Sequence, residues 1–250
     1  MEIVGHGGAG DFYPGNSLQS LRKAMEFGVD RIEIDIQMAA DGTLVLCHDD
    51  ELAIEGTRRP VQKLPLDTIR EALDEMLTLD EAIELTRSSA PLMIDMKARG
   101  YERAIAGAIR RHEIASETIV SSTWALSLRK VRALAPGVRI GLSTGHISTV
   151  VRRNALVSIS STLLSIVTPP PAILVARAIG ADALMLNYRI CSGAFVRAAH
   201  TAGLLVYPWT VNHPRFIRAQ IERQVDGIIS NRPDLVAEQL EAIKWPEHVR

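Results

Sequence analysis

The run "RIEIDIQ" (Arg31 to Gln37) sets two acids two residues apart among isoleucines. Positions two apart in a strand share a face, so Glu33 and Asp35 point together while Ile32, Ile34 and Ile36 fill the opposite side. Carboxylates placed among isoleucines are costly to bury unless they are paired or hold a metal. Asp95 and Lys97 repeat the spacing at the end of another apolar run, "PLMIDMK". His6 ends a third run, "EIVGH", and is followed by "GGAGDFYPGNS". Glycines serve where backbone bends sharply or approaches a ligand, and successive N–H groups in such a loop can form an anion-binding concavity. Three carboxylates suit a hard divalent cation with oxygen ligands, Mg²⁺ or Ca²⁺, and no His/Cys cluster asks for zinc.

Between "RIEIDIQM" and "TLVLCHD" sits only "AADG", whose Asp41-Gly42 is a hairpin turn signal. Pairing Met38 with Thr43 across it sets Ile36 opposite Val45 and Glu33 opposite His48, which brings an imidazole to the acids. Each residue also has a purely structural use. Asp95 and Lys97 could form an ion pair, Glu33 could pair with Arg31, and His48 could cap a turn with Asp49 and Asp50.

Nine short apolar runs alternate with amphipathic, helix-period segments, several closed by a glycine that suits a helix C-terminus. Repeated strand, helix, strand order argues for a parallel sheet. Setting aside the return strand "TLVLCHD" leaves eight strands, each followed by a helical segment. That is the count of an α/β (β/α)8 TIM barrel with a small β-hairpin inserted after the second strand. At 250 residues, one domain spanning 1–250 is expected. An open doubly wound sheet would show G-x-G-x-x-G opening its first helix, and the first loop lacks it. Barrel active sites assemble at the C-terminal ends of the strands, so His6, Glu33, Asp35, Asp95 and Lys97 are expected at one mouth. The stretch from Thr144 to Ala178, with "TPPP" in its middle, reads as helical on both sides of Pro169 to Pro171. It is long enough to serve as a lid, a subunit contact or an ordinary insertion.

A formal net charge of −1 gives no overall basic field for nucleic acid or anionic lipid, so neither is an expected partner, although a local phosphate pocket would not show in the sum. The two cysteines, Cys47 and Cys191, lie far apart without metal spacing and suggest no oxidising compartment. No cationic segment leads into an apolar one at the N-terminus, and "ALVSISSTLLSIV" is too short and serine-rich to span a bilayer. The reading is cytoplasmic, without stable membrane insertion, with a small molecule as partner and homo-oligomerisation left open.

In chain order, "GHGG…GNS", "EIDIQMAADGTLVLCHDD", "LTLDEAIEL", "LMIDMK", "VSSTWALSLRKVRALAP", "VYPWTVN" and "DGIISNRPDLV" resemble the glycerophosphodiester phosphodiesterase family from the first strand to the last helix. The resemblance implies a metal-dependent hydrolase that cleaves glycerophosphodiesters to an alcohol, such as choline or ethanolamine, and glycerol 3-phosphate. It implies His6 and His48 as the acid–base pair and Glu33, Asp35 and Asp95 as ligands of one Mg²⁺ or Ca²⁺. It further implies Lys97 as a phosphate contact, with Asn16 and Trp209 shaping the pocket. Three departures accompany it. Gly7 stands where the family usually has Arg, Gly15-Asn16-Ser17 replaces Glu-Asn-Thr, and Asp95 replaces a Glu. Glycine does not reproduce a guanidinium's bidentate grip on phosphate. Phosphate binding then passes to backbone N–H groups of Gly7 to Gly10, to Lys97, or to another arginine such as Arg189. The departures keep two further readings open: a related phosphodiesterase or cyclising lyase acting on a sugar or lipid phosphodiester, and a phosphodiester-binding module without turnover.

Overall fold

The computed structural model describes residues 1–144 and 171–244. In chain order these form β1 (Glu2–His6), α1 (Leu18–Glu26), β2 (Arg31–Met38), β3 (Leu44–Leu46), β4 (Glu51–Ile54), β5 (Thr57–Pro60), α2 (Leu66–Ala72) and α3 (Leu79–Thr86). They continue with β6 (Leu92–Met96), α4 (Glu102–Arg111), β7 (Ile119–Ser122), α5 (Ala125–Leu134), β8 (Arg139–Ser143) and α6 (Pro171–Ala178). The chain then adds β9 (Ala183–Asn187), α7 (Gly193–Thr201), β10 (Leu205–Trp209), α8 (Pro214–Glu222), β11 (Gly227–Ser230) and α9 (Pro233–Lys244).

Parallel pairing runs in the order β10-β9-β8-β7-β6-β2-β1-β11. Two bonds, Asp226 N to Val206 O and Val211 N to Ile229 O, both 3.0 Å, bring β11 back against β10. The eight strands read from the sequence thus form the nearly closed parallel barrel. The helix read after Pro171 is present as α6, and the remainder of the 144–178 reading lies outside the described residues. Among the described residues no helix is long and apolar enough to cross a membrane.

Strand alternation explains how one chain makes both a core and a site. In β2 the isoleucines Ile32, Ile34 and Ile36 face outward into the main core beneath the helices. The barrel interior is a separate cluster that includes Val4, Met93, Ile119, Met185, Tyr207 and Ile229. Two residues further along four of these strands stand His6, Asp95, Ser121 and Asn231. The inward face therefore changes from apolar to polar toward the C-terminal end. Register completes the placement, since His6 lies beside Glu33, Asp35 beside Asp95, and Asp95 beside Ser121. At the barrel's other end Arg31 pairs with Glu2, whose carboxylate also accepts from the Tyr207 hydroxyl at 3.0 Å. The Arg31–Glu33 pairing considered from sequence is therefore absent.

The hairpin register differs from the sequence reading by one residue. Ile36 pairs with Leu46, Gln37 with Val45 and Met38 with Leu44. Ala39 N donates to Thr43 O at 2.8 Å and Gly42 N to Ala39 O at 3.0 Å, closing a three-residue loop with Gly42 at φ +89°. A left-handed glycine ending such a loop inserts a bulge that a count from the Asp-Gly pair alone does not contain. Cys47 consequently lies across from Asp35, its N–H bonded to Asp35 O at 3.0 Å, and the expected Glu33–His48 pairing is not formed. The small β4–β5 hairpin and α2 had no counterpart in the sequence reading. β5, "TRRP", is largely exposed and carries no apolar alternation to detect.

Outside the barrel, Glu102 in the first turn of α4 ties that helix to α5. Its buried carboxylate accepts from Ser127 Oγ at 2.6 Å and Lys130 Nζ at 2.9 Å. Burial works to raise its pKa, but these donors prevail and hold it at about 2 against an ordinary 4.5. A folded-state value below the unfolded one gives stability that is present above the unfolded pKa and lost as pH falls through the folded one. Glu102→Gln is expected to reduce the unfolding free energy by about 2–3 kcal/mol at neutral pH, the deficit shrinking below about pH 4. Urea unfolding measured across that range checks both the size and the pH trend.

Candidate active site

A cavity of about 500 Å³ opens at the C-terminal mouth of the barrel, lined among others by His6, Glu33, His48, Asp95, Lys97 and Trp209. Glu33, Asp35 and Asp95 each direct one carboxylate oxygen into a group whose atoms lie within 4.8 Å of one another. Lys97 Nζ stands 2.6 Å from Asp35 Oδ1 and 2.8 Å from Asp95 Oδ2, so the Asp95–Lys97 pair anticipated from sequence exists but is shared with Asp35. Ser121 Oγ donates to the other Asp95 oxygen at 2.7 Å.

Asn16 and Gly7 hold acids in place. Asn16, buried and at φ +67°, donates from Nδ2 to Asp35 Oδ2 at 2.8 Å and accepts the Asp35 N–H on Oδ1 at 2.9 Å. Gly7, at φ +53°, gives its N–H to Glu33 Oε2 at 3.1 Å. Its carbonyl accepts from Ser20 Oγ at 2.7 Å and Asn16 N at 2.9 Å. A side chain here would meet Asn16 N and Gly15 Cα at 3.1 Å in a backbone conformation that favours glycine. The N–H groups of Ala9 and Asp11 are likewise bonded within the chain, to Ser20 O and Asn231 O. The N–H groups of Gly7, Ala9 and Asp11 are therefore engaged within the chain, that of Gly7 by the Glu33 carboxylate. Arg189 does not line the cavity either, and its guanidinium lies 5.6 Å from the Tyr188 ring. Of the cationic replacements considered for the family arginine, Lys97 is the one that faces the cavity.

Both histidines are oriented through Nδ1. His6 Nδ1 is 2.6 Å from Asn231 Oδ1, and Asn231 Nδ2 donates to Asp11 Oδ1 at 2.8 Å. That second bond fixes which end of the amide faces the ring, so His6 Nδ1 carries hydrogen and Nε2 is left for a ligand. His48 Nδ1 lies 2.9 Å from Asp49 Oδ1, with the imidazole largely exposed at the rim. The Asp49 side chain thus orients the ring. Asn231, Asp11 and Ser121 were not assigned from sequence. The available signal was their position at or just beyond the C-terminal ends of barrel strands.

Charge at the site is unbalanced. Burial, aided by the Asp35 charge, pushes the Glu33 carboxyl well above the ordinary range. Burial also works to raise Asp35, but Lys97 and His6 hold it below its usual value. For Lys97 burial is outweighed by Asp95, Asp35 and Glu33, which keep the ammonium protonated. Asp35 Oδ1 is buried and receives no hydrogen bond of acceptable geometry despite the nearby ammonium. An all-oxygen donor group, one incompletely satisfied buried oxygen and crowding that disfavours a third negative charge together fit a hard divalent cation.

A sequence model described as the glycerophosphoryl diester phosphodiesterase family matches residues 6–235. A glycerophosphodiester phosphodiesterase of Caldanaerobacter subterraneus subsp. tengcongensis is 26% identical over 252 residues, covering 93% of this chain and 94% of the relative. A glycerophosphodiester phosphodiesterase of Bacillus subtilis is 25% identical over 262 residues, covering 93% and 84%. Among solved structures, an Oleispira antarctica phosphodiesterase in complex with the product sn-glycerol 3-phosphate superposes with TM-score 0.78 at 21% identity, covering 96% of this chain and 97% of that one. A glycerophosphodiester phosphodiesterase of Thermotoga maritima gives 0.73 at 23% identity, covering 95% and 98%.

Proposed function

The chain belongs to the glycerophosphoryl diester phosphodiesterase family, and on that premise we propose that its site holds one Mg²⁺ or Ca²⁺ on Glu33, Asp35 and Asp95 and uses His6 and His48 as its acid–base pair. The protein is a phosphoric diester hydrolase acting on glycerophosphodiesters, small molecules that the mouth cavity can admit. We read it as a single cytoplasmic domain that releases glycerol 3-phosphate and an alcohol. The observation that carries the reading is the convergence of three acids from two neighbouring strands with two imidazoles around one cavity.

When bound, the cation supplies Lewis-acid polarisation of a phosphoryl oxygen. Lys97 adds a fixed positive charge on the same side, stabilising charge that develops on the phosphoryl group. His6, clamped by Asn231 in the barrel wall, takes the proton of the attacking oxygen at Nε2. His48, on the exposed hairpin beside Asp49, gives a proton from Nε2 to the departing alkoxide. Each role is general acid–base catalysis by an imidazole whose second nitrogen is held by an acceptor. Trp209 closes one wall of the cavity.

Incubation of glycerophosphocholine with the protein and Mg²⁺ or Ca²⁺ is expected to yield choline and glycerol 3-phosphate, with one ¹⁸O incorporated from labelled water. Chelation is expected to reduce the rate by about 10²-fold or more, reversed on adding the cation back. A cyclic phosphate lacking ¹⁸O would establish the lyase chemistry instead. Binding of the diester without any product would establish a binding module.

A further inference from the structure

Single exposed apolar residues are ordinary on a protein surface, whereas their concentration on one face is informative. Of the ten exposed large hydrophobics among the described residues, six lie in the loops or first helical turns at the barrel mouth: Phe12, Tyr13, Trp124, Leu126, Ile190 and Phe216. Four of these belong to the loops following β7, β9 and β10, and Leu126 is 76% exposed. Exposed arginines stand among them. Arg99 lies 4.5 Å above the Trp124 ring, Arg189 lies 5.6 Å from Tyr188, and Arg215 lies 6.0 Å from Phe216. Tyr188 and Phe216, from adjacent loops, meet at 5.1 Å.

The stretches 97–101, 123–127, 188–192 and 210–216 contain no Asp or Glu. Among the described residues no carboxylate pairs with Arg99, Arg189 or Arg215. On the hairpin side, by contrast, stand the exposed acids Asp49, Asp50 and Asp74. Among the described residues the mouth is therefore polarised behind a formal charge of −1, acidic beside His48 and cationic with apolar side chains in the loops after β6, β7, β9 and β10.

We infer that this cationic, apolar crescent is a docking surface for an anionic lipid bilayer. Aromatic and aliphatic side chains settle at the headgroup boundary, and guanidiniums stacked on rings still present donors to lipid phosphates. Each arginine near such a surface contributes about fivefold in partitioning. Docking on this side leaves the His48 side of the mouth open to water. The inference concerns a surface, and it stands or falls separately from the hydrolytic chemistry.

The test is flotation of the full chain with vesicles of phosphatidylcholine containing about one third phosphatidylglycerol, compared with phosphatidylcholine alone. The expected result is binding only to the anionic vesicles, weakened by high salt. The triple substitution Arg99→Ser, Arg215→Ser, Leu126→Ser should reduce partitioning at least tenfold, while hydrolysis of water-soluble glycerophosphocholine stays unchanged. Absence of wild-type binding, or undiminished binding by the triple variant, overturns the inference. So does a solution dimer that the triple variant dissociates, since a second copy would then own this face. Vesicle binding by a protein that hydrolyses no glycerophosphodiester would instead leave the docking surface standing and remove the proposed reaction.

Discussion

His48→Gln is expected to lower kcat on glycerophosphocholine by about 10²–10⁴-fold, yet to lose far less on a nitrophenyl phosphodiester, whose leaving group departs without a proton. The asymmetry follows from position. His48 sits on the solvent-exposed hairpin with Nδ1 on Asp49, where a departing alcohol can leave the mouth. His6→Gln is expected to cost as much on either substrate, because the attacking oxygen must surrender its proton whatever the leaving group. Its ring is held in the wall by Asn231, itself anchored on Asp11. Steady-state kinetics of both variants on both substrates decides the assignment. Equal losses for His48→Gln on the two esters, with sparing confined to His6→Gln, would reverse the two roles.

Asp35→Asn is the second large effect, with kcat/KM expected to fall by about 10³-fold or more and the calorimetric signal of Mg²⁺ or Ca²⁺ binding expected to vanish. Asp35 is the central acid, buried, 2.6 Å from the Lys97 ammonium and gripped by Asn16. An amide of the same shape keeps the volume but removes the charge that a cation requires. It also relieves the like-charge pressure on Glu33 but turns its NH2 toward a donor, Lys97 or Asn16, so the fold is expected to survive with a lowered unfolding temperature. Unimpaired cation binding by this variant would place the metal elsewhere.

The barrel was legible because its strands are written in alternation. "RIEIDIQ" and "PLMIDMK" each state which residues face the helices and which face the axis, and register then joins Asp35 to Asp95 without further information. The hairpin was legible as a turn but not as a register, because the bulge at Gly42 depends on a φ angle that Asp41-Gly42 permits without dictating. Asn16 and Gly7 could be singled out by type, but their duty could not. Asn16 reaches Asp35 only because the chain adopts positive φ there, and Gly7 reaches Glu33 only because β1 and β2 are neighbours. Asn231 is distant from His6 in sequence and adjacent in space only because the barrel closes through β11. A summed charge near zero likewise carried no sign of how acids and arginines divide the mouth.

The most direct measurement is anomalous diffraction from crystals grown with Mn²⁺ and glycerol 3-phosphate. One metal peak is predicted at bonding distance from an oxygen of each of Glu33, Asp35 and Asp95, with the phosphate lying between the Nε2 atoms of His6 and His48. A metal bound away from that trio, or a phosphate beyond reach of both rings, would contradict the account.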